Sequence, residues 1–159
     1  HGFDDQGRKF DERGNLKDWW TKQDEVNFKA KAKAVIEQAK AYAPFPGMPL
    51  NGELTLGENI ADLGGLSISY DALKGVLGKK GRSIDGFTPE QRFFLAYAQV
   101  WKTNMRDERA KLLVKVDPHA PAKYRVNGPL SNLPEFSAAF NVASTEPLSL
   151  PVSRRAKIW

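Results

Sequence analysis

The chain has 159 residues, 41% of them hydrophobic and 27% charged, with a net charge of +5 and no cysteine. That is the size of one domain with enough buried surface for a core. Disulfides are excluded, and no run approaches the ~20 apolar residues of a membrane span. The basic balance invites a nucleic-acid partner. However, Lys29, Lys31, Lys33 and Lys40 are spread along one predicted helix among alanines and carboxylates. That is the pattern of a solvated helix face, and no nucleic acid is expected. The sequence opens on His1 rather than methionine, so its lack of a signal peptide carries no weight.

The segment from Gly2 to Gly14 is polar, rich in Asp, Gly and Arg, and reads as loop. A first helix is predicted from Thr21 to Ala43, with Phe28, Ala32, Val35, Ile36, Ala39 and Ala43 on one face. Pro44, Pro46 and Pro49 end it. A second helix is predicted from Thr55 to Leu77, burying Leu56, Ile60, Leu63, Tyr70 and Leu77. Gly64 and Gly65 inside it each cost about 1 kcal/mol relative to Ala, so they need a packing or access reason. Gly78 to Phe87 reads as a Gly- and Lys-rich loop. Thr88-Pro89-Glu90-Gln91 is a helix start, with an N-cap Thr, Pro in first position and Gln three residues after the cap. The stretch that follows, Phe93 to Trp101, is apolar almost all round and is expected to be the most buried element.

Another helix is predicted from Asp107 to Val114. Asp117-Pro118 and Ala120-Pro121 form a rigid turn around His119. Tyr124-Arg125-Val126 is predicted as a short strand, and Asn132 with Pro134 as the start of a last short helix through Phe140. The Ser/Pro-rich tail to Trp159 is expected to be extended. The class is mainly α.

Glu58 and Asp62 are spaced i, i+4, so both leave one face of the second helix, beside its apolar stripe. Two half-buried carboxylates that close repel each other unless a cation or a donor lies between them. One reading is a metal, with Glu58 as ligand and Asp62 as partner to a histidine. The other is that Thr55 and Glu58 form a capping box and Asp62 is solvated. His1 and His119 are the only histidines. Taken alone, a terminal histidine and a loop histidine between prolines are each more often inert than catalytic.

The order of segments adds to this. His1-Gly2-Phe3-Asp4-Asp5-Gln6-Gly7-Arg8 is followed by Asn15-Leu16-Lys17-Asp18-Trp19-Trp20, then Gly57-Glu58-Asn59-Ile60-Ala61-Asp62-Leu63-Gly64-Gly65-Leu66. Phe93 to Trp101, Asp117-Pro118-His119-Ala120-Pro121, Tyr124-Arg125-Val126 and the terminal Ile158-Trp159 complete the series. In this order and spacing the chain resembles the neprilysin family of zinc metalloendopeptidases, which includes endothelin-converting enzyme-like members. Lys102 and Ala156 stand where animal members tend to have cysteine, so the resemblance is to the bacterial type. It implies that residues 1–159 are the helical C-terminal part of a thermolysin-like zincin catalytic domain, with little strand. That part would start at the second histidine of an H-E-x-x-H motif.

The resemblance also implies a set of roles. Zn²⁺ would be bound by His1 and Glu58, with Asp4 orienting His1 and Asp62 orienting the first histidine of the motif. His119 would donate to the tetrahedral oxyanion, and Arg125 would hold a backbone carbonyl of the bound peptide. Val100 and Trp101 would line the pocket for the residue after the cleaved bond, favouring cleavage before bulky apolar residues. The first histidine and the general-base glutamate would precede His1. This chain alone is therefore expected to hold zinc weakly or not at all and to be inactive. Its expected partners are peptide substrate, the upstream half of the domain and, through an apolar face left uncovered, further copies of itself. Export from the cytoplasm is implied by the resemblance alone. The rival reading is a non-catalytic helical binding or scaffold module reusing the fold. It gives no reason for His1, Glu58, Asp62, His119 and Arg125 all to be intact.

Overall fold

The computed structural model describes residues 1–78 and 81–158. Lys79, Lys80 and Trp159 lie outside the described residues, and with them part of the predicted Gly78–Phe87 loop and the last residue of the tail. Among the described residues there are six α-helices and two short 3-10 turns, Gly7–Lys9 and Val152–Arg154, with isolated bridges in place of strands. None of these helices is long and apolar enough to cross a membrane.

Helix α1, Lys22–Lys40, begins at a capping box in which Thr21 and Asp24 satisfy each other's backbone N–H. It buries Phe28, Ala32, Val35 and Ala39, the spacing the sequence predicts, and leaves the four lysines exposed. It stops three residues before Ala43, because a residue preceding proline is driven out of helical geometry. Helix α2, Leu56–Leu77, packs Leu56, Ile60, Leu63, Leu66 and Tyr70 against α1 and α5, Ala122–Asn132. No capping box forms at Thr55. Its hydroxyl donates to the Asn51 carbonyl and accepts from the Asn59 side chain, so Glu58 takes no part in capping.

Helix α3, Pro89–Val100, starts at the predicted capping box of Thr88 and Gln91. It is not the most buried element: only Pro89 and Phe94 are buried. Phe94 is its one fully buried aromatic, among Tyr70 and Phe136, with Phe93 and Tyr97 packed half-buried against the core, while Leu95, Ala96, Gln99 and Val100 are exposed. The longest buried run is instead Gly128–Leu133. Helix α4, Asp107–Val116, buries Val114 in a small separate cluster with Leu50 and Ala120.

Tyr124-Arg125-Val126 is not a strand but lies inside α5. Pro121 is fixed at φ −55° immediately before the helix, and its carbonyl accepts from the N–H groups of Tyr124 and Arg125. Packing against α2 then overrides the β-propensity of Tyr and Val. Pro129 sits within the same helix and brings no N–H for the carbonyl four residues back, that of Arg125. The Tyr97 hydroxyl of α3 donates to that carbonyl at 2.9 Å. Helix α6, Pro134–Phe140, follows Leu133, and Asn132 is the last residue of α5 rather than a cap for α6. The buried Asn132 side chain donates to Gln38 and accepts from the Ala156 backbone, pinning the tail so that Ala156 and Ile158 join the core.

Candidate functional site

The N-terminal loop folds onto the first turn of α2 through Asp4, whose side chain is only 5% exposed. One Asp4 oxygen accepts from the backbone N–H of Gln6 and Gly7, at 2.9 and 2.8 Å, and the other accepts from His1 Nδ1 at 2.6 Å. A carboxylate only accepts, so Nδ1 carries a hydrogen, and in the neutral ring the lone pair is on Nε2. That Nε2 stands 3.4 Å from Glu58 Oε1. On the other side of the carboxylate, His119 Nε2 lies 3.1 Å from Glu58 Oε2. The Nδ1 of His119 is 2.8 Å from Asp117 Oδ1, which also accepts from the His119 backbone N–H. Two Asp–His pairs thus converge on one carboxylate, itself 20% exposed. The backbone hydrogen bond from His119 holds the Asp117 carboxyl below its ordinary value, against a smaller opposing effect of burial.

The cation between Glu58 and Asp62 is Arg125. Its Nε and one terminal nitrogen grip the two Asp62 oxygens at 2.7 Å each, and the same terminal nitrogen reaches Glu58 at 3.5 Å. Asp62 is therefore not simply solvated: its side chain is 9% exposed and forked by a guanidinium. The guanidinium lies over the Trp101 ring at 3.9 Å. Val100, by contrast, is 75% exposed at the end of α3. It borders an open groove between α2 and α3, lined also by Asp62, Gly65, Ser69, Ala96 and Tyr97, with a cavity volume of about 340 Å³. His1, Asp4, Glu58, Asp62, His119, Arg125 and Trp101 thus form one connected cluster, and Val100 sits at its rim.

Among the described residues, no three His, Cys, Asp or Glu side chains converge as a metal-ligand set. His1 and Glu58 nevertheless fit the donor chemistry of zinc. His1 Nε2 and a Glu58 carboxylate oxygen face each other at 3.4 Å, and a cation or a proton between them satisfies both. Two donors bound tetrahedrally at the usual zinc distances stand about 3.4 Å apart. If zinc were bound there, the pair would supply two of the three protein ligands that such a site takes.

Two contributors were not singled out from sequence. Asp117 was legible in principle, because an Asp two residues before a turn histidine can accept its backbone N–H. Tyr97 was not, since its partner carbonyl is freed by a proline in a segment whose sequence reads as strand.

Residues 1–156 match the family described as Peptidase family M13. An endothelin-converting enzyme homolog of Locusta migratoria is 46% identical over 144 residues, covering 88% of this chain and 20% of that protein. Endothelin-converting enzyme 1 of Homo sapiens is 40% identical over 163 residues, covering 100% of this chain and 21% of that protein. The crystal structure of Mycobacterium tuberculosis zinc metalloprotease Zmp1 in complex with inhibitor superposes with a TM-score of 0.95 at 46% identity. It covers 100% of this chain and 25% of that one. The chain spans about a fifth of the length of the curated relatives it matches.

Proposed function

The chain belongs to peptidase family M13, and from that premise we propose that it is the C-terminal part of the catalytic domain of a zinc-dependent endopeptidase. The observation that carries this reading is His1 Nε2, aimed by Asp4 at the Glu58 carboxylate. His1 and Glu58 would hold Zn²⁺, which would supply Lewis acidity to the attack of water on a peptide carbonyl. A preceding segment carrying the first histidine and the general-base glutamate completes the site. It covers the face of α2 that bears Glu58, Asp62 and Gly65.

The remaining roles belong to this chain's own side chains. Asp4 keeps His1 in the tautomer whose Nε2 is a donor atom for metal. Asp117 fixes the ring of His119 through Nδ1, and in the imidazolium form, with a hydrogen on each nitrogen, its Nε2 is near enough to Glu58 to donate to an oxyanion formed beside it. Arg125 keeps one terminal nitrogen outside its grip on Asp62, and that nitrogen can donate to a backbone carbonyl of the peptide. Asp62 then holds Arg125 and, in the complete domain, the first histidine. Val100 and Trp101 border the pocket for a bulky apolar residue just after the cleaved bond. With only two protein ligands, the isolated chain binds zinc weakly and does not hydrolyse peptides.

The test is Glu58→Gln in the complete enzyme, read by metal content and by chelator-sensitive cleavage of peptides with a bulky apolar residue after the scissile bond. Loss of both is expected. A Glu58→Gln enzyme that keeps full zinc would restrict Glu58 to its contact with Arg125 and overturn the assignment.

A further inference from the structure

We propose that two glycines, Gly57 and Gly7, are positioning residues that seat the His1–Asp4 turn on α2 and so aim His1 at Glu58. This rests on the reading of His1 and Glu58 as a metal-binding pair. Gly57 is the second residue of α2, one position before Glu58. A β-carbon on it would stand 2.9 Å from Asp5 Oδ1 and 3.3 Å from Asp4 Oδ2, both closer than ordinary van der Waals contact. The Asp5 carboxylate is the far end of a side chain and can swing aside. The Asp4 carboxylate cannot, because the N–H groups of Gln6 and Gly7 hold one oxygen and His1 holds the other.

Gly7 closes the seat from the opposite side. A β-carbon there would run into the backbone carbonyl of His1 and the Cα of Gly2, while its own N–H is one of the two donors to Asp4. Neither glycine has a positive φ, so the requirement at both positions is space, not backbone conformation. In an α-helix, Gly is about 1 kcal/mol worse than Ala. Local helix energetics therefore favour Ala at position 57, and the proximity of Asp4 opposes it.

That conflict of sign supplies the test. Gly57→Ala and Gly57→Val are made in the 159-residue chain. His1 and His119 are the only histidines, so their ring protons are distinguishable by NMR. In the metal-free chain, Gly57→Ala should displace the His1 ring signals and the Gln6 and Gly7 amide signals, with Gly57→Val moving them further. Thermal stability of Gly57→Ala should be unchanged or slightly raised. Zn²⁺ added to millimolar concentration should perturb the His1 ring with an apparent affinity at least about tenfold weaker in either variant, the scale of losing a group that orients a metal ligand. Unmoved His1, Gln6 and Gly7 signals would overturn the proposal. So would a fall in stability with amide shifts spread over the whole chain, which would make Gly57 an ordinary packing residue. Glu58→Gln separates the two readings. If it leaves the zinc response intact while Gly57→Ala still displaces His1, the metal assignment falls and the seat stands.

Discussion

His119 is tied at Nδ1 and at its backbone N–H to Asp117, and its Nε2 lies beside Glu58. The ring is therefore fixed before any substrate arrives. In the complete enzyme His119→Ala should retain zinc and lower kcat by roughly 10²–10³-fold, the scale of removing one oxyanion donor. Metal loss in that variant would make His119 a ligand instead. Asp117 should also leave a mark on stability. Its carboxyl titrates below the ordinary 3.8 in the fold, chiefly through the His119 backbone hydrogen bond. An acid depressed in the native state adds stability that is complete above its unfolded value and is lost as pH falls through its folded one. Asp117→Asn keeps an acceptor but no charge, so melting temperature should fall less steeply below about pH 4 than in the unmodified chain. Parallel acid limbs in the two proteins would count against the Asp117–His119 pairing.

At the level of the element, α5 runs through Pro129, and α3 meets the cost. The Arg125 carbonyl that Pro129 cannot serve accepts from Tyr97, whose phenol burial keeps protonated by pushing its pKa up. Tyr97→Phe should destabilise the chain by about 1–3 kcal/mol, the cost of a part-buried acceptor left without its partner. Pro129→Ala restores an N–H four residues after Arg125, so the same Tyr97→Phe change should cost clearly less on that background. Equal costs on both backgrounds, measured by urea unfolding, would mean that the proline and the tyrosine are not coupled. Thr88→Ala should cost about 1 kcal/mol through its capping box, and Gln91 makes that cap matter beyond α3 because its amide also donates to the Ala139 carbonyl of α6.

For the whole molecule, the question is what lies over the outer face of α2. Ala61, Gly65, Ile68, Ala72 and Val76 recur at helical spacing, with Ile68 73% and Val76 86% exposed. A β-carbon on Gly65 would meet nothing within 4 Å. With Val100 this is an exposed apolar face, and its small residues Ala61, Gly65 and Ala72 leave room for another helix to approach closely. On the proposed reading the preceding segment of the domain covers it, and the isolated chain should self-associate through it instead. Light scattering should show dimers or larger species at micromolar concentration, and Ile68→Lys with Val100→Lys should shift them towards monomer. A clean monomer that binds no hydrophobic dye would mean that this part of the domain closes its own core.

What the sequence determined by itself was whatever depends on near neighbours along the chain. The apolar faces of α1 and α2, the capping box at Thr88 and the i, i+4 pairing of Glu58 with Asp62 are local, because helix period and capping chemistry act within a few residues. The ordered series of motifs carried the family as well. Tertiary structure alone decided the rest. Tyr124–Val126 became helix because α2 and Pro121 outweighed a weak β-preference, and α3 stayed half exposed because apolar composition says nothing of which face finds a partner. Arg125, more than sixty residues from Asp62 in sequence, became the cation between the two carboxylates. His1 and His119, at distant points of the chain, came to face opposite oxygens of Glu58. Contacts of that range are set by how helices pack, and no local pattern encodes them.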